Sequence, residues 1–308
     1  MTESLVNTQL IIMVYLLFGF ILYKTHIIDD HSQLFISSLT IDVLLPVSVF
    51  VSFLNSFTLD ILKEMLVILI FAAFFEIFLY FISKINMKMY SKEESCVNRY
   101  GMLVSNGGLI GTPVIESLFG SIGVMYCNVF LIPTRIMAYV AGESIFNPNI
   151  KKGLKETIKA TVTNKVILAM VLGFIFVSLN ISLPAPVFTA LSKIAGCLSP
   201  VSVMLVGSML ANIPKISGDL IKKISLMTVI RLLIIPGIAF IICMILGFDF
   251  ITTSVITLLM GMPVGCTCAS FAKKYKGNEA YATSVVFVTT ILSTISLVGI
   301  MQIIEMIF

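Results

Sequence analysis

Charge is what this chain has least of. Only 12% of its 308 residues are Asp, Glu, Lys or Arg, about half of the quarter usual in a soluble domain, so water is not its main solvent. Histidine is nearly absent: His26 and His31 stand in one polar loop with Asp29 and Asp30, a solvated loop rather than a metal site. No nucleotide-binding glycine loop, HExxH helix or nucleophile elbow occurs. The reading is therefore of a non-enzyme, with no catalytic residue, metal ligand or cofactor. Cys96, Cys127, Cys197, Cys243, Cys266 and Cys268 lie almost wholly inside apolar stretches. That placement indicates neither a disulfide framework nor a CxxC knuckle, and the thiols read as small apolar fillers. No Lys or Arg precedes the first apolar run, Glu3 does, and no small-residue cleavage site follows, so this run reads as a retained helix and not a signal peptide.

What is abundant is apolar surface: 58% of residues are hydrophobic and mean hydropathy is +1.07. A membrane-crossing helix needs about 20 such residues, which leaves room for roughly ten crossings. Apolar runs between charged or Pro/Gly-containing breaks predict helices over 6–23, 33–54, 62–82, 96–119, 122–143, 165–181, 187–212, 223–247, 250–272 and 279–307. The expected fold is an all-α polytopic membrane protein with ten transmembrane helices.

Sixteen of the twenty Lys and Arg fall in every second connection, from Lys24 through Lys84, Lys88, Lys92 and Arg99 to Lys273, Lys274 and Lys276. Lys151, Lys152, Lys155, Lys159, Lys165, Lys215, Lys222 and Lys223 complete the set. The positive-inside rule makes those loops cytoplasmic and both termini external, in a cell membrane. Anionic lipid headgroups explain this charge better than a nucleic acid does. Tyr23, Tyr80, Tyr90, Tyr100, Tyr139, Tyr275 and Tyr281 fall near the same predicted interface.

The two halves repeat. Pro46-Val47-Ser48-Val49 returns as Pro200-Val201-Ser202-Val203, 154 positions on, and Pro113-Val114 returns as Pro263-Val264, 150 positions on. An odd number of helices per repeat forces the second copy in from the opposite face, so the expectation is two inverted five-helix repeats. They cover 1–143 and 165–308, joined by a cytoplasmic linker over 144–164.

The strongest local signal is Asn106-Gly107-Gly108-Leu109-Ile110-Gly111-Thr112-Pro113, three glycines and a proline inside an apolar run. Proline lacks an amide donor and glycine lets the backbone unwind, so the fourth helix is predicted to be discontinuous. The ninth repeats the feature at Gly261, Pro263 and Gly265. Irregular backbone at membrane depth survives only inside protein or along a water-filled cavity. Half-helices beginning at about Val114 and Val264 present free amides and a positive dipole end, suited to an anion. Candidate substrate-binding residues are Asn106, Gly107, Gly108, Gly111, Thr112, Pro113, Gly261, Pro263, Val264 and Gly265. Pro46 and Pro200 read as plain kinks, with Ser48 and Ser202 answering freed carbonyls.

Charges within apolar helices are costly and tend to be functional. Arg135 suits a substrate carboxylate through its planar fork; the alternative is a salt bridge to Asp42 or Glu116. Glu76 and Arg231, 155 positions apart, occupy nearly equivalent places in the repeats and read as structural charges, a pair or two separate groups. Glu116, one turn after Pro113, is the candidate for a coupling proton or cation.

At these residues the sequence resembles the auxin efflux carrier family, the PIN-like group, over nearly its whole length. The resemblance rests on Asn106-x-Gly108-x-x-Gly111-x-Pro113 with Leu118-Phe119-Gly120, on Pro200 with Gly207 and Leu210-Ala211, on 231–236, and on Met262-Pro263-Val264 with Ala272 and Tyr275. It implies a fold similar to bile-acid sodium symporters: helices one, two, six and seven as scaffold, three to five and eight to ten as moving core, with substrate beside the crossover of helices four and nine. The short lysine-rich central loop looks like the prokaryotic type. The implied function is a secondary transporter of small organic carboxylates, malate- or malonate-like or auxin-like, with Arg135 suited to a second carboxylate. A sodium-coupled symporter of the bile-acid type is the alternative, with Asn106, Glu116 and Asn128 as oxygen donors, and a channel or membrane receptor comes after it. Coupling to H+ or Na+ and a homodimer are compatible with this reading.

Overall fold

The computed structural model describes residues 2–58, 61–85, 89–150, 152–211 and 218–308. Lys88, Lys151 and Lys215, and residue 212 of the seventh predicted helix, lie outside them. In chain order the described elements are α1 (Thr2–Lys24), α2 (Asp30–Leu39), α3 (Leu45–Ser56), α4 (Ile61–Ile82), α5 (Lys92–Leu103), α6 (Thr112–Val140), α7 (Gly142–Phe146) and α8 (Leu154–Val162). They continue as α9 (Lys165–Ser178), α10 (Ala185–Gly196), α11 (Leu198–Met209), α12 (Gly218–Val229), α13 (Ile235–Leu246), α14 (Phe250–Met260), α15 (Thr267–Lys274) and α16 (Glu279–Ile307).

Polar residues set the starts of these helices. Asp29 accepts from Ser32 N at the head of α2, Asn164 accepts from Val166 N and Ile167 N before α9, Asp249 accepts from Thr252 N before α14, and Asn278 accepts from Tyr281 N before α16. Ser91 and Glu94 form a reciprocal capping box at the start of α5. Each cap answers amides that have no partner within the helix.

Prolines shape the interiors. Wide π-turns span Thr40–Leu44, Gly107–Gly111 and Ile230–Ile234, and each is followed two residues later by a proline: Pro46, Pro113 and Pro236. A proline has no N–H for the preceding turn and its ring crowds that turn, so the helix widens to pass it. At Gly120 the φ of 57° turns α6 between its segments 112–119 and 121–140, where a break after residue 119 was predicted.

Helix fills most of each predicted range. Among the described residues seven stretches are long and apolar enough to cross a membrane, or eight if α8 and α9, bent by 55°, form one span. In place of the fourth and fifth predicted helices one apolar stretch runs over Gly107–Phe146, the sixth counts only as the bent pair, and the ninth is interrupted, its α14 having eleven residues. The solvent these helices expect is nonetheless legible on their surfaces. On α4, Leu66, Ile70, Phe74, Ile77 and Phe81 form one outward stripe, all exposed. A soluble monomer rarely shows such a patch, whereas a bilayer demands it.

The chain packs into two compact units, one of residues 1–68, 108–129 and 158–211, the other of 69–107, 130–157 and 212–308. In the first, α1 lies against α11 and α3 against α9. A β-carbon added at Gly19 would overlap the Met204 carbonyl, and one at Gly207 would overlap that of Leu16, so α1 and α11 meet backbone to backbone. In the second, α13 packs on α14, and α12 and α15 pack on α16.

Candidate functional site

The two predicted breaks are real interruptions of helix. Between α5 and the π-turn at Gly107–Gly111 the chain is extended through Val104–Asn106, and between α14 and α15 it passes through 261–266 without helix. Within the second unit these stretches pair with each other. Asn106 N donates to Pro263 O at 2.8 Å and Gly265 N donates to Val104 O at 3.0 Å, an antiparallel bridge centred on Ser105 and Val264. Val264 N donates to Thr289 Oγ1 of α16 at 3.2 Å. Each break thus supplies the partners that the other needs, which is what a buried irregular backbone at membrane depth requires.

Pairing moves one boundary. The second half-helix was expected from about Val264, yet Val264 lies in the extended bridge and α15 begins at Thr267. After the first break the helix starts at Thr112, close to the expected Val114. No side chain caps α15, whose N-cap residue is Cys266. The Asn106 amide nitrogen lies 3.3 Å from Cys266 Sγ. A polar side chain from the first break therefore stands at the uncapped head of the helix that follows the second.

Gly261, Pro263, Val264 and Gly265 are all buried in the second unit, as is Gly107 at its edge. Gly111, Thr112 and Pro113 are buried and Gly108 half-buried in the first unit, where Thr112 Oγ1 lies 3.5 Å from Cys127 Sγ. Glu116 is half-buried on α6. Asn128, fully buried, donates its amide to Val124 O of its own helix at 2.9 Å. Arg135 is half-buried on the part of α6 in the second unit. Asp42, one partner considered for it, is paired with Lys165 at 3.1 Å.

Glu76 and Arg231 are both buried in the second unit, where each lies in the other's electrostatic field, and their hydrogen bonds go to different groups. Glu76 Oε2 accepts from Thr134 Oγ1 at 3.1 Å. Arg231 donates through Nε to Met262 O at 2.9 Å and through Nη1 to Met102 O at 3.4 Å. Met102 stands in the last turn before the first break and Met262 within the second, so one guanidinium ties both together. Sequence reasoning missed this role, since nothing local to Arg231 names carbonyls 129 and 31 positions away. Ser202 was read as answering a carbonyl freed at its own kink, and Ser199 O does lie 3.2 Å from its hydroxyl; the shorter contact, to Leu109 O of the first break at 2.9 Å in the first unit, was not foreseen. The hydroxyls of α14 were passed over too: Thr252, Thr253, Ser254 and Thr257 are all buried, and Ser254 Oγ and Thr257 Oγ1 have no hydrogen-bond partner.

Apolar outward stripes, an all-helical chain and interrupted helices mended by backbone pairing define a multi-pass membrane protein. A family model described as membrane transport protein matches residues 4–301. The chain belongs to that family, the auxin efflux carrier or PIN-like family. A comparison with curated proteins finds no match.

Proposed function

We propose that this membrane transport protein is a secondary transporter of small organic carboxylates, malate- or malonate-like or auxin-like, working by alternating access. The observation that carries the reading is the placement of the Asn106 amide beside Cys266, at the uncapped head of α15. A helix N-terminus without a side-chain cap attracts negative charge, and an amide donor next to it completes a cradle for a carboxylate. Few charged side chains are then needed, so the anion is held without a strong trap and can leave again. Arg135 serves a second carboxylate. The chain performs no catalysis in this reading.

The proposed architecture is ten crossings in two inverted five-helix repeats, 1–143 and 165–308, with both termini outside and the basic loops, the 144–164 linker among them, in the cytoplasm of the cell. The matching prolines of the two halves and the mutual pairing of the two breaks support it. The first, second, sixth and seventh predicted helices act as scaffold and the remaining six as moving core; the scaffold helices gather into one compact unit, which also holds residues 108–129 of the fourth and fifth. Purified protein in proteoliposomes, given radiolabelled malate, malonate and indole acetate in turn, tests the function. Saturable flux of at least one is expected, and failure of every carboxylate to enter or leave overturns the reading.

A sodium-coupled variant of the same function is favoured by one observation, the unpartnered buried hydroxyls of Ser254 and Thr257. They stand three positions apart on α14, so they share a face. Hydroxyl and carbonyl oxygens are ligands that suit a hard cation. Flux that is unchanged when choline replaces sodium excludes this variant while leaving carboxylate transport standing.

A further inference from the structure

The second unit holds a cavity of about 380 Å³ whose lining includes none of the paired residues 104–106 and 263–265, within the usual range of small-molecule sites, about 300–1,000 Å³. Lys84, Lys92 and Arg99 line it, and among the described residues none of the lining is acidic. Of the acidic neighbours on α5, Glu94 takes Lys223 Nζ at 2.7 Å and Ser91 N at 2.8 Å. Glu93, exposed, accepts from Ser91 Oγ at 3.0 Å and offsets part of the Lys92 charge. The field in the cavity therefore rests chiefly on Lys84 and Arg99. Arg99 Nε is buried and has no hydrogen-bond partner among the described residues, an arrangement that costs free energy until an acceptor arrives. Ser91 already caps α5, so an anion here is bound by side chains and not by a helix end.

Apolar side chains, Met102 and Met227 among them, also line the cavity. Its lining residues Lys84 and Ile85 follow closely on the apolar helix α4, where Lys84 sits 4.1 Å over the Tyr80 ring and Phe81 and Ile85 are 63% and 68% exposed. A ligand at the bilayer surface near the end of α4 has both exposed apolar side chains and cations within reach. We propose that this cavity binds a phosphate-bearing anion, presented as the headgroup of an anionic phospholipid. Guanidinium and ammonium groups converge on phosphate oxygens, and basic pockets at the ends of membrane helices are suited to such headgroups. This site is separate from the carboxylate site proposed above, and its test does not depend on transport.

The full chain, purified in detergent, is titrated with phosphatidylglycerol or with phosphatidylcholine of the same acyl chains, and bound lipid is counted by native mass spectrometry. Retention of phosphatidylglycerol over phosphatidylcholine is expected. Arg99→Gln should weaken it by roughly tenfold, the scale of one lost charge-assisted hydrogen bond. The double variant Lys84→Gln with Lys92→Gln alters exposed residues only and should fold normally, so it reads the same loss if Arg99→Gln does not fold. Equal retention of the two lipids, or a preference that survives in the variants, overturns the proposal. A further arm adds inorganic phosphate without lipid and follows thermal unfolding. Stabilisation by phosphate together with indifference to phosphatidylglycerol overturns the lipid source and leaves free phosphate as the ligand.

Discussion

Arg231 Nε lies 2.9 Å from the carbonyl oxygen of Met262, and the same guanidinium reaches Met102 O through Nη1 at 3.4 Å. One buried side chain thereby holds a carbonyl just before the first interruption and one inside the second, and it does so with a planar fork that lysine lacks. Arg231→Lys can reach one carbonyl at most. It is expected to lower stability by on the order of 3 kcal/mol, since a buried charge-assisted bond is lost and an acceptor is stranded. Carboxylate flux should fall at least tenfold. The buried thiols of Cys127, Cys243 and Cys268 make thermal unfolding readable with a thiol-reactive dye, and an unchanged unfolding midpoint would remove the staple role.

The pair Gly19 and Gly207 yields a second prediction. Each faces backbone of the opposite helix, with no room for a β-carbon. Gly207→Ala should push α1 and α11 apart at a cost of about 1–3 kcal/mol, the usual range for overpacking. Gly237→Ala is the control, because a β-carbon there meets open space. Size-exclusion profiles and unfolding midpoints of the two variants should differ clearly; equal behaviour would mean that the close approach carries no weight.

Much of this geometry was legible in the sequence where its cause is local. Pro46 and Pro113 announce a disturbed turn because the missing amide belongs to the proline itself, and a π-turn precedes each. Hydropathy located the helices because bilayer thickness fixes their length. The start of α15 was misplaced by three residues because Val264 pairs with Ser105, a tertiary contact that the local pattern Pro-Val-Gly does not encode. For the same reason the partners of Arg231 and Ser202 were out of reach. A buried cation can be inferred from hydropathy, but the carbonyl it serves is decided by which distant segment folds against it.

Gly120 has φ 57° in the middle of α6, a left-handed conformation that side chains disfavour, and open space lies around it. Gly120→Ala therefore tests backbone strain without a steric clash. A loss of about 1–2 kcal/mol is expected, read as a lower unfolding midpoint. An alanine variant as stable as the parent would mean that the turn adopts another conformation.

The last prediction separates the two polar side chains assigned to substrate. Asn106 donates toward Cys266 at the head of α15, so Asn106→Asp replaces a donor amide with a carboxylate of nearly the same shape at the place proposed for an anion. Like charges repel there, and every carboxylate should bind at least tenfold more weakly, with Asn106→Ala intermediate. Arg135 is assigned the second carboxylate only. Arg135→Gln should then weaken malate and malonate by roughly tenfold, the scale of one charge-assisted hydrogen bond, while leaving indole acetate, which has a single carboxylate, as it was. Competition for uptake among the three ligands distinguishes these patterns. Equal weakening of mono- and dicarboxylates by Arg135→Gln would place Arg135 at the first carboxylate or in the framework, and unchanged affinity for all three would remove it from the site.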